Sequence, residues 1–238
     1  MAGPLGKKVN TPSHFAPEIL FPIPRDQQRQ GKNLVDQVGV DIWNIHELFW
    51  IDKQDRSHHD QISIHIPADS INTVESKSLK LFINSMVHRN FIDLEDAKGE
   101  IQLHLEALVK TKIIISKIHL LDDLKFTPVI VGANSELISS QKGTNNINRF
   151  NGFRSLCPVT SQPDIADIYI EGNIHNDDLE SIACYLGSFF SKESFHELCI
   201  EQILSDLSKA GFKIKKVEGF FERRGGIAII PIRNTTNY

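Results

Sequence analysis

The spacing of apolar residues in the second half of the chain predicts strands over residues 152–160 and 164–172 and helices over residues 176–190 and 195–211. Two further strands are predicted within residues 212–232. The second strand alternates around Ile168 and Ile170. The second helix places Ile203 and Leu207 on one face. The last two strands flank a turn at Gly225–Gly226, so the predicted order is β-β-α-α-β-β.

The first half repeats this order, with elements predicted over residues 41–52, 61–68, 75–86, 100–110, 111–121 and 125–132. Ile62, Ile64 and Ile66 alternate strictly in the second strand, and Ile101 and Leu105 are at helical spacing in the second helix. LFINSM (81–86) also resembles CYLGSF (184–189). The repetition predicts an α+β protein of two tandem modules with antiparallel strands, derived from a duplicated unit.

The polar segment at 133–152 is predicted to be a linker between the two modules, because it is rich in Asn, Ser and Gly. This division gives four parts: an N-terminal extension, a first module, the linker and a second module, over residues 1–35, 36–132, 133–152 and 153–238.

Composition narrows the classes of function. The 238 residues are 40% hydrophobic with a net charge of −4, which argues against a nucleic-acid-binding surface. No apolar run reaches the roughly 18 residues of a membrane span, and the N-terminus has no secretory leader pattern. Three cysteines, with Cys184 and Cys199 at apolar helical positions, form no disulfide framework, so a cytoplasmic protein is expected. No histidine or cysteine spacing predicts a metal site.

The two halves differ in their chemically active residues. ESKSLK begins the first helix of the first half, whereas the second half has LESIAC there, without the lysines. The second half has Cys157 in its predicted opening strand and Phe195-His196-Glu197 at its second helix, where the first half has Phe91-Ile92-Asp93. Each half holds residues that the other lacks, which predicts one composite site.

ESKSLKLFINS, SLCPVTSQPD, FHE before a helix, ERRGGI and the N-terminal LFPIPR together resemble the NADPH-dependent 7-cyano-7-deazaguanine reductases of queuosine biosynthesis, the QueF family. ESKS precedes the cysteine motif here, as in the two-module form of that family. The resemblance implies two tunnelling-fold (T-fold) modules. It also implies reduction of the nitrile 7-cyano-7-deazaguanine to the primary amine 7-aminomethyl-7-deazaguanine, with two molecules of NADPH.

By this resemblance Cys157 is the nucleophile that adds to the nitrile carbon and forms a thioimide, and Asp164 transfers the proton to the nitrile nitrogen. The alternatives are a small buried cysteine and a turn aspartate after Pro163.

The resemblance assigns the purine-like ring to Val74, Glu75, Ser76, His196 and Glu197. A carboxylate such as Glu197 can accept two hydrogen bonds from a guanine-like edge. The alternatives are a helix cap for Glu75, a dipole-favoured glutamate for Glu197 and a structural role for His196.

No GxGxxG motif follows a strand, so a Rossmann domain is not expected to hold NADPH. The resemblance assigns NADPH to Ser76 and Lys77 at a helix start, and to Arg224 and Gly225 in the last turn. The alternative for ERRGG is a charged hairpin. Lys80 adds positive charge nearby but receives no role.

The protein is expected to be a homodimer or a larger homo-oligomer, because T-fold sheets close into barrels by association. No direct contact with RNA or membrane is expected. Two other functions stay open: a purine-binding hydrolase of the cyclohydrolase type, which needs zinc, and a catalytically silent binding or scaffold protein.

Overall fold

The computed structural model describes residues 11–120, 126–130 and 144–236. Contacts divide the chain into two units, each assembled from three stretches. Unit 1 comprises Met1–Gln28, Ile42–His119 and Arg223–Ala228. Unit 2 comprises Arg29–Asp41, Leu120–Glu222 and Ile229–Tyr238. Both units mix helices with mainly antiparallel strands, so the chain is an α+β protein, as predicted.

The elements up to residue 117 are β1 (Pro22–Pro24), α1 (Arg25–Arg29), β2 (Gln37–Asp52), β3 (Ser57–Pro67), β4 (Asn72–Val74), α2 (Ser76–Ser85), β5 (Asn90–Phe91), α3 (Leu94–Val109) and β6 (Ile114–Lys117). They are followed by β7 (Phe126–Pro128), β8 (Thr144–Leu156), β9 (Pro163–Ile174), α4 (Leu179–Gly187), α5 (His196–Lys209), β10 (Lys213–Phe221) and β11 (Ile227–Thr235).

Unit 1 buries the alternating isoleucines of β3, and Ile64 and Ile66 have no exposed surface. β3 pairs antiparallel with β6, with Ile64 opposite Ile115. Helix α3 begins at Leu94, six residues before the predicted start, because the Asp93 side chain caps it by accepting a hydrogen bond from the backbone N–H of Asp96. The sequence prediction missed this cap.

Unit 2 follows the predicted order from β8 to β11. The apolar face of α5 is fully buried, including Ile203 and Leu207, and packs with the inner face of β9 in one core. Antiparallel pairing joins β8 to β9 and β9 to β10. Gly225 and Gly226 have positive φ angles of 55° and 86°, which confirms the predicted turn after β10.

The linker prediction was wrong at its C-terminal end, because β8 already begins at Thr144. Pairing with β9 supplies the backbone hydrogen bonds that a polar segment lacks by itself, from Thr144 opposite Ile174 onwards. Asparagine side chains extend this pairing, since Asn151 donates to the Asp167 carboxylate at 2.7 Å. Residues 131–143, most of the predicted linker, lie outside the described residues.

Two further predictions about strands were wrong. Cys157 is not in the opening strand but in the turn directly after β8, which ends at Leu156. The segment predicted to close the first module contains β7, which instead belongs to unit 2 and pairs with β8 in parallel, with Phe126 opposite Arg149. The apolar pattern marks a strand but does not specify its partner, so this exchange is decided by tertiary pairing.

Candidate active site

Cys157 occupies a short hydrogen-bonded turn between β8 and β9. Its backbone N–H donates to the carbonyl of Gln162 at 2.9 Å, and its carbonyl accepts from the N–H of Ser161 at 2.8 Å. Ser161 has a positive φ of 53°, and its hydroxyl donates to Glu193 at 2.9 Å. The thiol residue is partly exposed, unlike the buried Cys184 and Cys199. The turn therefore presents the one cysteine that can meet a solute without unfolding.

Asp164 is the second residue of β9 and lies in register opposite Ser155 of β8. Its side chain is only 6% exposed, and its Oδ2 atom lies 3.3 Å from Nε2 of His196. The His196 ring also packs on Phe221, with ring centroids 4.2 Å apart. This is an ion-pair distance, slightly longer than the roughly 2.6–3.2 Å at which a proton passes directly between a carboxyl and an imidazole.

The segment before α5 is bound to the strand that carries Cys157. The N–H of Leu156 donates to the carbonyl of Lys192, and the N–H of Ser194 donates to the carbonyl of Leu156, both at 2.9 Å. These bonds fix the start of α5, where Glu197 follows His196 and is 3% exposed. We define the unit-2 cluster as Cys157, Asp164, His196 and Glu197. Its residues lie in the turn after β8, in β9 and at the start of α5, and hydrogen bonds join β8 to the other two segments.

Cys199 lies one turn further along α5 and has no exposed surface. Burial raises the pKa of its thiol from 9.0 to about 11, and the charge of Asp164 acts in the same direction. Cys199 therefore stays a neutral thiol at physiological pH and fills the core next to Asp164, as expected for a buried cysteine.

Glu75 is the N-cap residue of α2. Its Oε1 atom accepts from the N–H of Lys77 at 2.9 Å, and its Oε2 atom accepts from the N–H of Ser78 at 2.8 Å. Glu75 is 3% exposed. Its carboxylate accepts hydrogen bonds from two of the backbone N–H groups that could otherwise bind an anion at the start of the helix. A phosphate near this helix start would therefore be held by the side chains of Ser76 and Lys77.

The N-terminal LFPIP segment supports the residues before α2. β1 pairs antiparallel with β4, with Pro22 opposite Val74. The carbonyl of Phe21 accepts from the N–H of Glu75 at 2.9 Å, and the N–H of Phe21 donates to the hydroxyl of Ser78 at 3.0 Å. The N-terminal segment thus holds the backbone at Val74 and Glu75.

Lys80, which was given no role from sequence, lies on the same helix as the predicted cofactor residues Ser76 and Lys77 and is close to Gly225. A Cβ atom added to Gly225 would lie 2.8 Å from Cε of Lys80, so the turn and this flexible side chain are close neighbours, and the positive φ of 55° favours glycine at this position. Lys80 is one turn along α2 from Ser76 and Lys77. The unit-1 cluster, defined as Val74, Glu75, Ser76, Lys77, Arg224 and Gly225, therefore combines a helix start with a glycine turn.

These unit-1 residues fit a dinucleotide with phosphate groups such as NADPH. Lys77, Lys80 and Arg224 supply positive charge, and the glycine turn lets a ligand approach the backbone. When bound, NADPH would supply hydride.

Sequence reasoning also missed Glu47, whose carboxylate accepts a hydrogen bond from Arg223, the arginine before Arg224. No local signal indicated this pair, because an exposed arginine can be solvated by water without a carboxylate.

Within residues 11–120, 126–130 and 144–236, no group of three or more His, Cys, Asp or Glu side chains is arranged to hold a metal ion. Over that same part of the chain, no helix has the length and apolar character needed to cross a membrane.

Known proteins resemble this chain over its whole length. The family model described as "Nitrile reductase, 7-cyano-7-deazaguanine-reductase N-term" matches residues 11–117, and a model described as "QueF-like protein" matches residues 163–238. The NADPH-dependent 7-cyano-7-deazaguanine reductase of Dechloromonas aromatica is 31% identical over 100% of this chain and 92% of its own length. The enzyme of the same name from Teredinibacter turnerae is 32% identical over 96% of this chain and 90% of its own length. The chain therefore belongs to the 7-cyano-7-deazaguanine reductase family of nitrile reductases.

Proposed function

We propose that this protein reduces the nitrile 7-cyano-7-deazaguanine to 7-aminomethyl-7-deazaguanine with NADPH, in queuosine biosynthesis. The observation that carries the proposal is the pairing of Asp164 with His196 at 3.3 Å, in the same unit as the partly exposed Cys157. Full-length similarity to reductases of that name supports the substrate and the cofactor.

Cys157 acts as the nucleophile in this proposal. A nitrile carbon is a modest electrophile, and addition of the sulfur converts the C≡N bond into the C=N bond of a thioimide, which accepts hydride more readily. The new bond is C–S, and the nitrile nitrogen takes up one proton. The turn at Cys157 suits this role because its two backbone hydrogen bonds hold the residue at the protein surface.

Asp164 supplies that proton to the nitrile nitrogen as the sulfur adds, and His196 then returns a proton to Asp164. Two hydrides and two protons convert the nitrile to the amine, and the sulfur leaves as the C–S bond breaks between the two reductions. His196 lies at ion-pair distance from the carboxylate of Asp164, so a small approach of the two side chains lets a proton pass between them.

Recognition of the ring is assigned to Glu197, with Val74, Glu75, Ser76 and His196 as further contacts. Glu197 is 3% exposed, so its carboxylate can discriminate a guanine-like edge by hydrogen bonding with little competition from water. Glu75 already accepts two backbone hydrogen bonds, and its remaining lone pairs would serve the substrate.

The NADPH site is assigned to Ser76, Lys77, Arg224 and Gly225, with Lys80 as an added positive charge. We further propose two T-fold modules, which act as a homodimer or larger homo-oligomer in the cytoplasm. The β-β-α-α-β-β order is complete from β8 to β11, and apart from the short β4 and β5 the first half has the same order without its last strand. No direct contact with nucleic acid or membrane is part of the proposal.

The test is intact-protein mass spectrometry after mixing with 7-cyano-7-deazaguanine in the absence of NADPH. Wild type is expected to gain the mass of the nitrile, the Cys157→Ala variant is not, and the adduct should disappear when NADPH is added. Cys184→Ala serves as the matched control, since that cysteine is buried. Absence of an adduct on folded wild type that binds the nitrile would reject covalent catalysis and favour a silent binding protein.

A further inference from the structure

The turn after β10 has a backbone that few residues can adopt. The N–H of Arg224 donates to the carbonyl of Ile227 at 2.9 Å, and the N–H of Ile227 donates back at 3.2 Å. The two residues between them, Gly225 and Gly226, both have positive φ. This is a two-residue hairpin turn that glycine permits but does not stiffen.

Glu47 and its neighbour hold this turn from β2. The N–H of His46 donates to the carbonyl of Gly226 at 2.8 Å. The Glu47 carboxylate packs against Gly226, since a Cβ added there would lie 2.7 Å from Cδ of Glu47. Its Oε1 atom also accepts a hydrogen bond from the guanidinium of Arg223. Glu47 thus contacts the residues on both sides of Arg224 and Gly225.

Charge gives Glu47 a second effect. Arg223, Arg224 and Lys80 bring three positive groups to one short turn, and like charges in that arrangement repel one another. Glu47 is the carboxylate that pairs with Arg223, so it offsets one of the three. Both partners are nearly half exposed, at 45% and 46%, so water screens the attraction. The main consequence is therefore the geometry of the turn and not a large gain in stability.

We propose that Glu47 is a positioning residue for the dinucleotide, acting through Arg223 and the Gly225–Gly226 turn to present Arg224. This inference rests on the proposed function, because that function assigns Arg224 and Gly225 to NADPH. Glu47 is not among the residues assigned to the cofactor or to the substrate. A turn held in its binding conformation before the ligand arrives loses less conformational entropy on binding.

The experiment measures the NADPH dissociation constant by fluorescence titration, together with kcat and the KM for each substrate, for the full-length protein. Glu47→Ala is expected to raise the dissociation constant and the KM for NADPH about fivefold, the size of an exposed ion pair. Glu47→Gln keeps the packing on Gly226 and should lie between wild type and Glu47→Ala. The matched control is Glu95→Gln, which removes an exposed carboxylate paired with Lys98 and should leave NADPH affinity unchanged.

Two readouts separate positioning from a general structural role. The rate of adduct formation between Cys157 and the nitrile without NADPH should be unchanged in Glu47→Ala. The double variant with Arg223→Ala should bind NADPH no more weakly than Glu47→Ala alone, since both remove the same interaction.

The outcomes also separate this inference from the proposed function. If Glu47→Ala binds NADPH as tightly as wild type, the role of Glu47 is overturned and the proposed function is not affected. The same holds if Glu47→Ala loses adduct formation to the same extent as NADPH affinity. Failure of folded wild type to bind NADPH would overturn the proposed function and this inference with it.

Discussion

Removing the carboxylate of Glu201 tests the buried ion network of unit 2. Arg233 has no exposed side-chain surface, and its Nη1 atom donates to Asp41 at 2.7 Å while Nη2 donates to Glu201 at 3.0 Å. Arg29 donates to Glu201 through two nitrogens, at 2.6 and 2.9 Å. Two arginines and two carboxylates balance, so the network is neutral. Glu201→Ala leaves two guanidinium groups with one carboxylate.

The expected cost follows from burial. Removing one partner of a buried ion pair typically costs about 3–5 kcal/mol, because the other charge is left in a medium of low polarity. Arg29 is 33% exposed, so water can solvate its guanidinium when Glu201 is removed. Most of the loss in stability therefore comes from the buried charge of Arg233. We therefore expect Glu201→Ala to lower the free energy of unfolding by about 3 kcal/mol. Glu201→Gln keeps an acceptor and should cost less.

Urea-induced unfolding, followed by circular dichroism, measures this loss. The matched control is Glu180→Gln, which removes an exposed carboxylate from α4 and should change the free energy of unfolding by less than about 0.5 kcal/mol. A loss below about 1 kcal/mol for Glu201→Ala would refute the reasoning. It would mean that water or a rearranged side chain reaches Arg233.

Four further predictions concern the candidate site and the neighbouring Cys199. Iodoacetamide should modify Cys157 in the native protein and Cys199 only after unfolding, as read by peptide mass spectrometry; equal rates would contradict the assigned burial. Because burial raises the pKa of Cys199 from 9.0 to about 11, the unfolded thiol ionises first as pH rises. Its contribution to stability is complete below pH 9 and is lost between about pH 9 and 11, and Cys199→Ala should flatten that part of the pH–stability curve. Gly225→Ala places a Cβ against Lys80 at positive φ and should raise the NADPH dissociation constant about tenfold; unchanged binding in a fluorescence titration would remove Gly225 from the site. Asp164→Asn should slow adduct formation at Cys157 about 100-fold with nitrile affinity retained, and an unchanged rate in stopped-flow mixing would exclude Asp164 as the proton donor.

The positions of the candidate residues along the secondary structure were largely predictable. The helix start at Ser76 follows from a local signal, the Glu75 cap before a run of helical period. At His196 the helical period alone marks the start, since Phe195 makes no side-chain cap. The Gly225–Gly226 turn follows from the conformations that only glycine readily adopts. The start of α3 depends on an equally local signal, the Asp93 cap, which the sequence prediction missed.

Interactions between distant segments were not predictable. The contact between Lys80 and Gly225 joins positions 145 residues apart, and the pairing of Asp164 with His196 joins a strand to a helix start. Nothing in the local pattern specifies these partners, because side-chain contacts depend on how elements pack and not on their own periodicity.

The sequence by itself determined the class of the fold, the element order of the second half and the candidate residues for the proposed chemistry, because period, capping and turn preferences are local properties of the chain. Only the tertiary structure decided that the polar residues 144–152 form a strand, that β7 pairs with β8 and that Glu47 lies against the Gly225–Gly226 turn. Each of these depends on a hydrogen-bond or packing partner distant in sequence, which becomes available only when the chain has folded.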